Sequence, residues 1–193
     1  MPNAVAELSN GDLLTIAGSV IAEFSPSGTL RPAVTGGTIA ATSSGGTNVF
    51  QSDGRFLLAQ AALGPGGVRG TDIRVFRFAL GVDWAFVNPS FGFGTNTADS
   101  ATAIVLQRDL RILVGGTSSP DSSSESLGLA RLSPDGSLDL TFGSGGRVTT
   151  AFSGAFVGVS ALTLQSDGKI VAAGQALRNS TGAVNLVLAR YLP

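Results

Sequence analysis

The chain of 193 residues contains neither cysteine nor histidine. Without cysteine there is no disulfide, no thiolate metal site and no thiol nucleophile. Without histidine, the commonest general base and the commonest metal ligand are both missing. Lysine occurs once, at Lys169, and glutamate only at Glu7, Glu23 and Glu125, so residues that favour exposed helices are scarce. Charged residues make up 13% of the chain, about half the usual share. The formal net charge of −1 excludes a broad attraction to nucleic acid or to anionic lipid. No apolar run approaches the ~18 residues of a membrane-spanning helix. Residues 1–30 show no basic start followed by an apolar run, so no signal peptide is read there.

What is present is glycine, 27 residues of it, with an excess of β-branched residues and turn formers. That composition reads as all-β. Hydrophobic residues reach 43%, but glycines and charges divide them into many short segments. One segment type returns four times. Its clearest copy is Ala161–Gly174 (ALTLQSDGKIVAAG), with others at Thr47–Ala61, Thr102–Gly116 and, more loosely, Ala4–Gly18. Each is an apolar stretch, a polar turn, a second apolar stretch and a small residue. Asp-Gly between apolar runs signals a two-residue hairpin turn, because glycine accepts positive φ. The turns fall at Asn10-Gly11, Asp53-Gly54, Asp109-Leu110 and Asp167-Gly168, at intervals of 43, 56 and 58 residues. Leucine in the glycine place predicts a strained turn or one of another type at Leu110.

A second hairpin follows each first one. In Leu127–Phe142 (LGLARLSPDGSLDLTF) the residues alternate up to Pro134-Asp135-Gly136, and Ser137–Leu140 is expected to begin the return strand. Counterparts are Val20–Leu30, Ile73–Asp83 and Leu186–Pro193. Glu23, Arg77, Arg131 and Arg190 align at intervals of 54, 54 and 59 residues. Glycine-rich segments such as Phe142–Gly146 are expected to lead out of one unit into the next. Four short strands per unit of about 55 residues is the content of a propeller blade. The expected architecture is one repeat domain, 1–193, all-β and β-propeller-like, with units at about 1–46, 47–99, 100–156 and 157–193. The first unit begins with its inner strand and the last stops after its third, which predicts an incomplete or open ring with edge strands available for self-association.

The segments Leu132–Phe142 with Gly145-Gly146, Leu162–Gly174 and Leu186–Leu192 together resemble the delta-60 repeat. That family comprises tandem units in bacterial proteins that are mostly large and secreted or surface-associated. The resemblance is close over 107–193, fair over 47–94 and weak over 1–46. It implies a propeller-like fold and an extracellular or cell-surface setting. It implies no shared catalytic motif, so it places no catalytic residue.

Several residue sets bear chemistry. Asp53, Asp109, Asp135, Asp139 and Asp167 could hold a cation as oxygen-rich calcium sites do. Their favoured reading is turn aspartate bonding its own backbone two residues on. Arg77, Arg131 and Arg190 could ring a carboxylate or phosphate ligand, but Glu23 interrupts the ring, and pairing with turn aspartates of neighbouring blades is preferred. Trp84 with Phe86 and Phe91 reads as an aromatic plug between blades rather than a sugar platform. The serines around Pro120-Asp121 read as a loop, and Asn179-Ser180-Thr181 as a hairpin tip rather than a glycosylation site. No metal and no cofactor is expected. The resulting expectation is a non-enzymatic structural or binding module for a protein or glycan partner. The alternative is a carbohydrate-active enzyme or carbohydrate-recognition domain using paired carboxylates.

Overall fold

The computed structural model describes residues 4–8, 10–17, 20–31, 46–51, 55–63, 69–79, 82–86, 91–94, 97–121, 124–152, 155–178 and 182–193. Described residues form fourteen strands and no helix. Sheet one holds β1 (Ala4–Glu7), β2 (Leu13–Ala17) and β3 (Val20–Phe24). Sheet two holds β4 (Gly46–Phe50), β5 (Phe56–Leu63), β6 (Arg69–Ala79) and β7 (Val82–Phe86). Sheet three holds β8 (Ala98–Leu106), β9 (Ile112–Asp121), β10 (Ser124–Leu132) and β11 (Arg147–Ala151). Sheet four holds β12 (Ala155–Leu164), β13 (Ile170–Arg178) and β14 (Val184–Tyr191). Each sheet is an antiparallel meander in which consecutive strands are neighbours. The chain is an all-β, propeller-like array of four blade-like sheets whose ring is not closed.

Strand residues alternate between two faces, here called forward and rear. The forward side of sheet two (Leu57, Ala59, Ile73, Val75) packs on the rear side of sheet three (Ile104, Ile112, Val114, Leu132), with Phe91 and Phe93 filling between them. The forward side of sheet three (Leu113, Leu127, Leu129) packs in the same way on the rear of sheet four (Val157, Val159, Ile170, Ala172). Leu14 of sheet one meets Phe56 and Leu58 of sheet two. Each large side chain buried this way contributes roughly 1.5–3 kcal/mol. Register is preserved through the array: Leu14 pairs with Glu23, Leu57 with Arg77, Leu113 with Arg131 and Val171 with Arg190. The glycines that close two copies of the repeated segment have a steric reason. A Cβ on Gly116 would stand 1.8 Å from the Ser100 carbonyl oxygen, and one on Gly174 1.9 Å from that of Gly158. Both lie beside a β-bulge of the inner strand, between Ala101 and Ala103 and between Val159 and Ala161.

The hairpins differ from the two-residue expectation. In the fourth sheet Gln165 N–H donates to the Lys169 carbonyl and Gly168 N–H to the Gln165 carbonyl, and Gly168 has φ 84°. This is a three-residue loop, a type I turn followed by a left-handed residue. The same two bonds close Leu8–Asp12, Gln107–Arg111, Ser25–Thr29 and Ser133–Ser137. Leu110 keeps this turn at φ 66°. The expectation of strain holds there, and a change of turn type did not occur.

Three further expectations are corrected. The return strand after Pro134-Asp135-Gly136 is not Ser137–Leu140, which meets the sheet through an isolated bridge of Leu138 with Leu132 and through Asp139. The outer strand is β11, paired with β10 from Ala130–Arg147 to Ser126–Ala151. Gly145 and Gly146 thus feed the fourth strand of their own sheet rather than the next unit. The described residues of the serine cluster are strand residues: Ser118, Ser119, Pro120 and Asp121 lie in β9, Ser124 and Ser126 in β10, while Ser122 and Ser123 lie outside the described residues.

Replacement Leu110→Gly is expected to stabilise the protein. A left-handed leucine costs about 1–2 kcal/mol, partly offset by the larger entropy that glycine loses on folding. Leu110 is 51% exposed, so little packing is lost. Thermal unfolding should show Tm rising by roughly 1–4 °C; a fall would mean that the left-handed turn carries no strain.

Candidate functional site: a groove between the turns of sheets three and four

The β8–β9 turn (Gln107–Arg111) and the β12–β13 turn (Gln165–Lys169) stand side by side and enclose a groove of about 330 Å³. Its walls are Gln107, Arg108, Asp109, Gln165, Ser166 and Gly168, and Leu164 and Pro193 give it an apolar side. The turns are stiffened by their aspartates. Asp109 Oδ1 accepts the Arg111 N–H at 3.2 Å and Asp167 Oδ1 the Lys169 N–H at 3.1 Å. Each carboxylate also pairs with the side chain of that same cation. The hydrogen bond from Lys169 is the main reason that Asp167 sits below the usual aspartate range. The buried side-chain oxygen of Gln107 has no hydrogen-bond partner among the described residues, and neither has that of Gln51 at the matching place in sheet two.

The aspartates quoted from the sequence are committed to their own backbones. Asp135 accepts the Ser137 N–H at 2.9 Å and Asp139 the Thr141 N–H at 3.1 Å, as Asp109 and Asp167 do in their turns. Asp53 lies outside the described residues. No group of three or more acidic residues that could hold a metal occurs among the described residues.

Arg131 pairs with an aspartate of its own sheet rather than with a turn aspartate of a neighbouring one. Arg131 is buried within its own sheet, Nε 2.8 Å from Asp139 Oδ2, with its guanidinium 4.7 Å from the Phe142 ring centre. Arg111 Nε joins the same oxygen at 3.0 Å. Arg77 crosses from sheet two to donate to the Pro134 carbonyl at 2.7 Å, and Arg190 is exposed. In sheet one the three charges are reversed. Asp12 stands where Arg111 does, Glu23 in the place of Arg131, and Arg31 in the place of Asp139. Arg31 Nη2 is 2.8 Å from Asp12 Oδ1, and its backbone N–H bonds the Glu23 carbonyl as that of Asp139 bonds Arg131. The hydrogen bond from Arg31 lowers the Asp12 pKa, whereas burial and then contact with Asp12 raise that of Glu23.

Two further clusters were not anticipated. Asp99 is buried, accepts the Phe93 N–H at 2.7 Å and the Thr97 hydroxyl at 2.9 Å, and stands opposite Ser118 of β9. Burial is the largest cause of its raised pKa, and the charge of Asp72 adds to it. The Thr102 hydroxyl, on the β8 bulge, donates to the Val159 carbonyl and ties sheet three to sheet four. Glutamine before the turn recurs at Gln51, Gln107 and Gln165 and was the available signal for the groove. Nothing local marked Asp99. Of the aromatic set, Phe91 is buried and packs edge-on against Phe93 at 6.4 Å. The side chains of Trp84 and Phe86, and residues 179–181, lie outside the described set.

The sequence family described as "Domain of unknown function (DUF5122) beta-propeller" matches the chain at residues 107–142 and 165–193. No curated protein matches it. Among solved structures it is similar to a virginiamycin B lyase from Staphylococcus aureus, with 14% identity over 96% of this chain and 54% of that one and a TM-score of 0.49. It is likewise similar to an endo-arabinase from Bacteroides thetaiotaomicron, with 16% identity, 100% and 74% coverage and a TM-score of 0.49. A third is a xylan beta-1,4-xylosidase from Bacillus halodurans, with 13% identity, 96% and 37% coverage and a TM-score of 0.49. The chain spans about half the length of the first.

Two outcomes follow from these electrostatics. Arg131→Met leaves Asp139 with Arg111 as its remaining cation, and urea unfolding should report a loss of about 1–3 kcal/mol. An unchanged midpoint would show that the Arg131 pair contributes nothing. The raised pKa of Asp99 favours its neutral form in the folded protein. Its contribution to stability is therefore full in acid, below the ordinary aspartate value of about 4, and is lost as pH rises through the raised value. Melting curves of Asp99→Asn across this window should fall less with pH than those of the parent; equal slopes would contradict the assignment.

Proposed function

We propose that this chain is a non-catalytic, delta-60-type propeller module of a bacterial secreted or surface protein, and that the groove between its third and fourth sheets binds a hydroxyl-rich ligand, a glycan. The observation that carries this reading is the chemistry of the groove wall. It presents amide, hydroxyl and guanidinium groups from Gln107, Gln165, Ser166 and Arg108 beside an apolar strip of Leu164 and Pro193. A sugar offers the matching surfaces, hydroxyls to hydrogen-bond and C–H faces to cover an apolar strip. The two turn carboxylates, Asp109 and Asp167, are held by backbone N–H groups and by adjacent cations, which suits them to shaping a site rather than to proton transfer. A cysteine-free composition is compatible with the extracellular setting, and no helix among the described residues is long and apolar enough to cross a membrane.

A glycoside hydrolase would need two carboxyls about 5–10 Å apart across a substrate cleft. Asp12 and Glu23 are instead in direct contact and clamped by Arg31, an arrangement that supports the non-catalytic reading. The test is binding of the purified chain to a glycan array, followed by titration of the best ligand. Arg108→Ala and Gln165→Ala, both at exposed positions, should weaken that ligand about tenfold each with unchanged Tm. Binding that ignores both variants, or turnover of glycosides by the pure chain, would overturn the proposal.

A further inference from the structure

Sheet four carries an apolar face that no described residue covers. Leu186, Leu188 and Val184, alternate residues of β14, are 88%, 75% and 60% exposed. Beside them on the same face lie Leu177, Ala173 and Val171 of β13, with Gln175 opposite Leu186. This is the forward face. By register Leu186 and Leu188 stand where Leu127 and Leu129 stand in sheet three, and those two are buried beneath sheet four. A contiguous patch of this kind marks an interaction surface, and the fold shows what sort of surface fits it. In every junction present here, a forward face is covered by the rear face of another blade-like sheet.

One rear face is open to receive it, that of sheet one. Val5, Leu13, Thr15, Ala22 and Phe24 occupy the places of Ile104, Ile112, Val114, Ala130 and Leu132 in sheet three. The sheet-three residues are buried, whereas Val5 is 64% exposed and the other four in sheet one are part-exposed. The polar part of the junction is duplicated as well. Between sheets two and three, Arg77 donates to the carbonyl of Pro134 in the turn Ser133–Ser137. Arg190 is the exposed counterpart of Arg77 on sheet four. Pro26 holds the counterpart of Pro134, in the turn Ser25–Thr29, which is closed by the same two backbone bonds.

We infer that the forward face of sheet four docks on the rear face of sheet one of a second copy of this chain, head to tail, with Arg190 reaching the Pro26 turn of that copy. The contact is between sheet faces and not between strand edges. It is heterologous, so each copy brings one half of the junction.

The measurement is sedimentation equilibrium of the full chain and two variants, Leu188→Asp and Val5→Asp. Both positions are exposed, so circular dichroism and monomer Tm should match the parent. The parent is expected to self-associate in the micromolar range, with each variant alone weakened by roughly thirtyfold or more. An equimolar mixture of the two should regain a dimer, because the Leu188→Asp copy keeps an intact sheet one and the Val5→Asp copy an intact sheet four. A parent that stays monomeric would overturn the inference. So would a dimer broken by Leu188→Asp and untouched by Val5→Asp, since that pattern belongs to two sheet-four faces meeting each other.

Discussion

Every sheet of this protein has two apolar faces, and neither can be left to water without cost. An antiparallel sheet that packs on one side alternates apolar and polar residues. Strands β9 and β10 do not: their forward residues Leu113, Leu127 and Leu129 and their rear residues Ile112, Val114 and Leu132 are all buried. Such a sheet is stable only inside a stack. The constraint explains why the array is built from repeated units, why it keeps one pairing register throughout and why glycine stands where neighbouring backbones converge. It also explains the composition, in which hydrophobic residues are abundant yet never form a long run.

The stack leaves chemistry to the turns and loops at its ends. A face buried on both sides has no room for a ligand, whereas the hairpin tips of adjacent sheets stand apart and leave a groove. The three-residue turn supports this role. It places aspartate where its carboxylate caps the backbone two residues later, and it gives the tip a fixed shape that side chains such as Arg108 and Ser166 can decorate. Leu110 shows how strongly the stack imposes that shape, since a branched residue is held in the left-handed region rather than the turn changing its form.

The sheets were legible in the sequence because their signal repeats. Four copies of one pattern, each with its turn, make strand order and all-β class readable without any contact being known. The family match falls on 107–142 and 165–193, within the part where the pattern is sharpest. What escaped was whatever depends on loops of unequal length. Ser137–Leu140 has strand-like residues, but Asp139 turns inward to Arg131 and Arg111, and the chain needs Gly143 and Gly146 at positive φ before β11 can pair. The serines near Pro120 read as a loop by composition, and long-range pairing with β8 and β10 overrides that preference. The groove escaped because it belongs to two turns nearly sixty residues apart, and Asp99 because its surroundings come from Phe93 before the strand and from Ser118 of the neighbouring strand β9.

The reversed charges of sheet one bear on how such units differ from one another. Glu23 seemed to break a ring of arginines, but the structure shows a complete inversion in which Asp12, Glu23 and Arg31 replace Arg111, Arg131 and Asp139. Between the two forms the position of the lone opposite charge is kept while every sign changes. In both, it is the residue after the second hairpin that supplies the single opposing charge, and its backbone N–H is bonded to the β3 or β10 carbonyl. The backbone geometry of the loop is the same in both sheets, and all three charges are reversed between them. The two forms are not equivalent electrostatically. In sheet three the hydrogen bonds from Thr141 and the charge of Arg131 hold Asp139 below the usual aspartate range, whereas in sheet one the Arg31 hydrogen bond lowers Asp12 while burial, and then contact with Asp12, raises Glu23. Sheet one thus sets two carboxyls against one arginine at the position where sheet three sets two arginines against one carboxylate.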